Sequence, residues 1–151
     1  MLLALPLVLL LRPAKSANLF ERLGAGLKTV DREPETPVIW IHALSVGEVL
    51  SVFPLVLSLR RKHPDTAIVF SSTTASGREL ANRTISPLGI DVVSSPVDIL
   101  PVVQLFLKRI RPDLFILVET DFWPNLIYSL HHKNIPTLLI NGRISKKSMQ
   151  S

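Results

Sequence analysis

Four short polar clusters hold most of the side chains in this chain that could do chemistry. They are H-A-L-S-V-G-E at 42–48, S-S-T-T-A-S-G at 71–77, E-T-D-F-W-P-N at 119–125 and N-G-R-I-S at 141–145. Each follows a short apolar run, so each reads as the turn after a β-strand. Glu48 closes the first cluster, where a helix should begin and Ser45 and Gly47 form the turn. A carboxylate there is favoured by the positive end of the helix dipole and kept ionised. Two roles fit it: a general base toward a nearby hydroxyl, or a first-turn glutamate that stabilises only its own helix. Thr73, Thr74, Ser76 and Gly77 put hydroxyls and N–H groups at the next helix start, where a phosphate or sugar oxygen can be held. The same residues also fit an ordinary cap, with Ser76 and Glu79 forming an S-x-x-E box.

Glu119 and Asp121 stand two residues apart just past a buried run. Two carboxylates so placed repel and lose hydration unless a cation or ligand is near. Trp123 adds a flat apolar face suited to a sugar or acyl chain, and Asn125 adds two-way hydrogen bonding. The alternative is a capped helix start with a core tryptophan. Arg143 either answers those carboxylates or a ligand phosphate, or is a surface arginine. His42 reads as a satisfied core histidine, and His131 with His132 lacks metal-site spacing. No G-x-G-x-x-G, P-loop or G-x-S-x-G motif occurs, which removes the dinucleotide, P-loop and hydrolase-elbow readings.

The elements that must position these clusters alternate along the chain. Strands are predicted over 38–42, 67–71, 91–94, 114–118 and 137–140. Helices are predicted over 48–62, 76–83, 100–110 and 124–133. In the first helix Leu50, Phe53 and Leu57 are expected to face the core, and Pro54 to kink it or delay its regular start. Short apolar strands alternating with helices predict an α/β fold: a Rossmann-like parallel sheet with helices on both faces. All strands then point the same way, and the four clusters fall on one carboxyl edge, where such sheets bind ligands.

The 151 residues suffice for one domain with a core. With 47% apolar and 19% charged residues the chain is a folded protein, and without cysteine it has neither disulfides nor a thiolate metal site. A net charge of +5 suits an anionic partner. Aromatics are 6% and do not interleave with the basic residues, which disfavours nucleic acid. Residues 1–30 are expected to associate with a membrane. Leu2 to Leu11 is nearly all aliphatic. As a helix it would rise about 15 Å, half of a hydrocarbon core of roughly 30 Å. With Arg12, Lys15, Arg22 and Lys28 following, it reads as a surface anchor facing anionic head groups. Packing on the domain is the alternative. Residues 31–151 form the predicted Rossmann-like domain.

The ordered set H-A-L-S-V-G-E-V, S-S-T-T-A-S-G-R-E, P-V-D at 96–98, V-E-T-D-F-W-P-N and N-G-R-I-S-K-K-S resembles the 3-deoxy-D-manno-octulosonic acid (Kdo) transferases of glycosyltransferase family 30. An upstream E-R-L-G at 21–24 resembles that family's E-R-[FWY]-G. The resemblance implies the N-terminal half of a GT-B glycosyltransferase, which binds the acceptor. The donor half lies outside these residues, so the chain alone is expected to be inactive. It implies transfer of Kdo from CMP-Kdo to a lipid A precursor, lipid IVA, at the cytoplasmic face of the bacterial inner membrane, with no metal or other cofactor. Glu48 is then the general base and Glu119 the second functional carboxylate. Ser45, Gly47, Thr73, Thr74, Ser76, Gly77, Asp121, Trp123, Asn125 and Arg143 are the acceptor-binding candidates. The chain departs from the family pattern at Asp121, where glutamate is usual, at Gly142, where alanine is usual, and at Ser94–Ser95, where an aromatic is common.

Overall fold

The computed structural model describes residues 19–31, 33, 35–119 and 123–142. The expected N-terminal anchor, Asp121 and Arg143 lie outside the described residues. Five strands, β1 (Val38–Ala43), β2 (Ala67–Ser72), β3 (Asp91–Ser94), β4 (Leu114–Val118) and β5 (Thr137–Ile140), form one sheet in the order β3-β2-β1-β4-β5. Every pairing is parallel; Ile41 sits opposite Phe70 on one side and Ile116 on the other. The helices between them are α1 (Val46–Lys62), α2 (Ala75–Thr84), α3 (Leu100–Ile110) and α4 (Pro124–His132).

Period-2 alternation along the central strands sends side chains to two separate cores. On one face Trp40, Phe115 and Leu117 meet α3 and α4 through Val103, Phe106 and Leu130. On the other, Ile41, Phe70 and Ile116 meet α1 and α2 through Val49, Val56 and Ala81. Helices therefore cover both faces, as the strand pattern predicts. Trp40 anchors the first core, edge-on to Phe115 at 5.0 Å between ring centres. Each such side chain, fully buried, contributes about 1.5–3 kcal/mol by leaving water.

The first helix departs from expectation in its buried face and in its start. Its buried stripe is Val49, Val52 and Val56, while Leu50 is 58% exposed and does not face the core. Pro54 lies inside the helix and does not delay its start, which falls at Val46. The carbonyl that loses its partner to Pro54 is that of Leu50, and both residues lie on the exposed side, where water can bond it. The helix also starts two residues earlier than expected, with Ser45 as its N-cap.

The stretch before β1 packs on this domain. Val30 is in the first core and donates its N–H to the Arg109 carbonyl at 3.0 Å, and Leu27 packs beside it. Leu19, Phe20 and Leu23 stay exposed at 38%, 54% and 38%. No helix among the described residues is long and apolar enough to cross a membrane.

Candidate functional site

β1 ends at Ala43, and the chain turns at once into α1. The Glu48 carboxylate is buried in this turn and folds back over it. Oε2 accepts from the Leu44 N–H at 2.5 Å, and Oε1 accepts from the Ser45 hydroxyl at 3.1 Å. This is a variant of the capping box, closed on the residue before the N-cap. The capping role is therefore real, and it fixes the carboxylate at the carboxyl edge of the central strand. Gly47 is exposed beside it, and among the described residues the nearest atom a Cβ there would meet is Ser45 Oγ at 4.0 Å.

The second turn is bonded to the first. Thr74 N–H donates to the Leu44 carbonyl at 3.1 Å, and Ser72 Oγ donates to the same oxygen at 3.3 Å. Thr74, not Ser76, caps α2: its Oγ1 accepts from Gly77 N–H at 3.1 Å. The expected S-x-x-E box is therefore replaced. Ser76 is exposed inside the helix, and Glu79 instead pairs with Arg83 at 3.6 Å. Gly77 is buried against the first turn. Thr73 Oγ1 lies 2.9 Å from Ser95 Oγ, which brings in the turn after β3.

After β4, Glu119 takes a left-handed backbone conformation, φ +64°, held by its N–H donating to the Ile140 carbonyl at 2.8 Å. A non-glycine residue in this region carries strain of about 1–3 kcal/mol, a cost met most often at functional turns. Asn141, after β5, is left-handed too, at φ +54°. Its Nδ2 donates to Ser51 Oγ at 3.3 Å, and Ser51 Oγ donates to the Glu48 carbonyl at 2.9 Å. The fourth turn is thus linked to the helix that carries Glu48.

Trp123 is half-buried at the start of α4. Asn125 is committed to structure: its Nδ2 donates to the Asp98 carbonyl at 2.7 Å. The cap of α4 comes from far along the chain. The Asp98 carboxylate accepts from Asn125 N–H at 3.1 Å and Leu126 N–H at 2.9 Å. Local reading of 121–125 as a self-capped helix start misses this; the only signal is the P-V-D at 96–98.

His42 is 1% exposed, on the β1 face that carries Trp40. Its Nδ1 is 2.8 Å from Ser71 Oγ, which also accepts from Trp40 Nε1 at 2.8 Å. An indole N–H only donates, so Ser71 Oγ accepts from Trp40, and a second lone pair or the hydroxyl proton serves His42 Nδ1 according to the imidazole tautomer. His42 Nε2 and Trp123 Nε1 are both buried without a hydrogen-bond partner among the described residues. The two rings meet edge-to-face at 6.0 Å, and the Arg22 guanidinium lies 5.8 Å from the Trp123 ring centre. His42 is thus a core histidine, as expected, bonded at Nδ1 and without an Nε2 partner among the described residues.

Burial first, and then the Arg22 charge, lower the His42 pKa to about 4 from 6.5. The unfolded chain takes up this proton near pH 6.5 and the folded one only near 4. Between those values the unfolded state holds more protons, so stability falls as pH falls, by roughly 3 kcal/mol over the window. Urea melts at pH 7.5, 6 and 5 should show this decline, and His42→Gln should have a shallower one. Parallel profiles for the two proteins would refute it.

The carboxyl edge thus carries Ser45, Gly47, Glu48, Thr73, Thr74, Ser76, Gly77, Glu119, Trp123 and Asn125 on turns bonded to one another. Residues 17–151 match the family described as 3-deoxy-D-manno-octulosonic-acid transferase (kdotransferase). The chain belongs to this transferase family. It is 36% identical over 115 residues to the 3-deoxy-D-manno-octulosonic acid transferase of Haemophilus influenzae, covering 76% of this chain and 27% of that one. It is 32% identical over 127 residues to the transferase of the same description from Chlamydophila psittaci, covering 82% of this chain and 29% of that one. The chain therefore spans less than a third of the length of these transferases. Its fold is similar to that of a UDP-N-acetylglucosamine 2-epimerase crystal structure, with a TM-score of 0.54 at 15% identity, covering 78% of this chain and 35% of the other. At that identity the likeness shows the fold alone: the parallel α/β sheet expected of the N-terminal half of a GT-B protein.

Proposed function

We propose that this chain is the acceptor-binding part of a Kdo transferase, acting with a donor-binding domain to move Kdo from CMP-Kdo to a lipid A precursor. The observation that carries the reading is Glu48, a buried carboxylate fixed by Leu44 and Ser45 at the edge where the other polar turns converge. Its place is set by contacts within its own turn, as a preorganised base requires. In the proposed step Glu48 takes the proton of an acceptor sugar hydroxyl. The freed oxygen forms a bond to the anomeric carbon of Kdo. The bond from that carbon to the phosphate oxygen breaks, and its electron pair leaves with CMP. Glu119 acts as the second functional carboxylate, and the 73–77 hydroxyls and Trp123 hold the acceptor.

The net charge of +5 supports a phosphorylated acceptor. The aliphatic 2–11 stretch, with Leu19, Phe20 and Leu23 exposed beyond it, supports action at the cytoplasmic face of the inner membrane. Because donor and base must meet in one cleft, the chain alone should not transfer Kdo. The purified chain, mixed with CMP-Kdo and lipid IVA, should give no product until a separately produced donor-binding domain from a relative is added. Product without that addition overturns the claim of inactivity. Failure to bind lipid IVA overturns the acceptor reading.

A further inference from the structure

The E-R-L-G segment at 21–24 plays no part in the proposed chemistry, yet each of its polar or small residues has a defined contact with the site's framework. The Glu21 carboxylate pairs with Arg78, on the helix after the second turn, and accepts from Ser94 Oγ at 2.9 Å. Arg22 donates from Nε to the Ser95 carbonyl at 3.3 Å and from Nη2 to the Pro96 carbonyl at 3.5 Å. Its own carbonyl accepts from Val97 N–H at 3.0 Å. Gly24, at φ +99°, lets the chain pass α3, since a Cβ there would lie 2.5 Å from Leu105 Cδ2.

Arg22 also faces Trp123, with its guanidinium carbon 5.8 Å from the ring centre, inside the range of a cation–π contact. Nothing among the described residues accepts the Trp123 indole N–H, so none of them sets that ring's angle by a hydrogen bond to it. The ring packs on the first core, stands edge-to-face with His42 and lies under the charge of Arg22. The arginine is itself held by two carbonyls and cannot swing freely.

We propose that Arg22 is a positioning residue. It seats Trp123 at the carboxyl edge, and so ties the segment beside the N-terminal aliphatic stretch to the turn that follows Glu119. Its bearing on ligand rests on the acceptor reading above; the seating of the ring does not.

The chain has two tryptophans. Trp40 is fully buried and bonded to Ser71, so a change in quenching by acrylamide reports Trp123. Arg22→Ala should raise the quenching constant at least twofold while the far-ultraviolet circular dichroism stays unchanged. Arg22→Lys should fall between, because it keeps a cation over the ring but loses the forked bonds to the two carbonyls. Glu21→Gln should leave quenching as in the parent, since its contacts run to Arg78 and Ser94. Arg22→Ala should also weaken binding of lipid IVA in detergent about tenfold, and Arg22→Lys less. Parent-like quenching in Arg22→Ala, or equal rises in Arg22→Ala and Glu21→Gln, overturns the proposal. Unchanged lipid IVA affinity in a variant with a loosened ring overturns the positioning role. If the parent chain binds no lipid IVA but quenching still separates the variants, the acceptor reading falls and the seating of Trp123 stands.

Discussion

Glu48→Gln is expected to cut Kdo transfer by about 10²–10⁴-fold, the range for loss of a positioned general base, with little change in folding. The assay is the one above, with the donor-binding domain supplied. The choice of glutamine follows from the contacts. Its amide oxygen can still accept from Leu44 N–H, and its amide nitrogen can donate to the Ser45 hydroxyl, so the turn keeps both bonds. The lost charge at the helix start costs about 0.3–1 kcal/mol. Glu48→Ala is a poorer probe. It leaves the Leu44 N–H without the carboxylate, a loss of about 1–3 kcal/mol that would mix folding with chemistry. Transfer by Glu48→Gln within threefold of the parent would leave Glu48 as a capping residue only. A large loss in a variant that melts like the parent separates the two roles, which are otherwise superimposed on one side chain.

That superposition explains what the sequence could disclose. The strands were legible because each is a short apolar run ended by polar or turn-forming residues, and parallel order followed from the intervening helices. The convergence of the clusters was legible for the same reason. Where the fold departs from a local pattern, a distant partner overrides it. Ser76 and Glu79 have the spacing of a capping box, but β2 ends where Thr74 can bond Leu44, and that bond sets the helix start one residue earlier, at Ala75. Asp98 caps a helix through residues 27 and 28 positions away, a relation no local window contains. Leu50 matched a helical stripe, yet the sheet turned Val49, Val52 and Val56 inward instead. The E-R-L-G segment is visible as a motif, but its partners, at 78, 94–97 and 123, are apparent only with the fold.

Gly77→Ala should lower stability by about 1–3 kcal/mol, the usual cost of forcing an extra carbon into a filled space. For a chain of this size that is a fall of roughly 2–12 °C in Tm. A Cβ on Gly77 would stand 2.5 Å from Ser72 Oγ, 2.8 Å from Thr74 Oγ1 and 3.3 Å from the Ser45 carbonyl carbon. Neither hydroxyl can turn away without loss: Ser72 Oγ bonds the Leu44 carbonyl, and Thr74 Oγ1 caps α2 through Gly77 itself. The Ser45 carbonyl is backbone, at the N-cap of the helix that holds Glu48. Gly77 thus brings the start of α2 against the start of α1, and its bareness permits the spacing of the first two turns. Gly47→Ala is the matched control. Its Cβ would have 4.0 Å to Ser45 Oγ, and alanine favours helix by up to about 1 kcal/mol. Its Tm should therefore hold or rise. If the acceptor approaches the backbone over Gly47, that variant will lose lipid IVA binding while folding normally, whereas Gly77→Ala will lose stability first. Equal Tm values for Gly77→Ala and the parent would refute the close approach of the two helix starts.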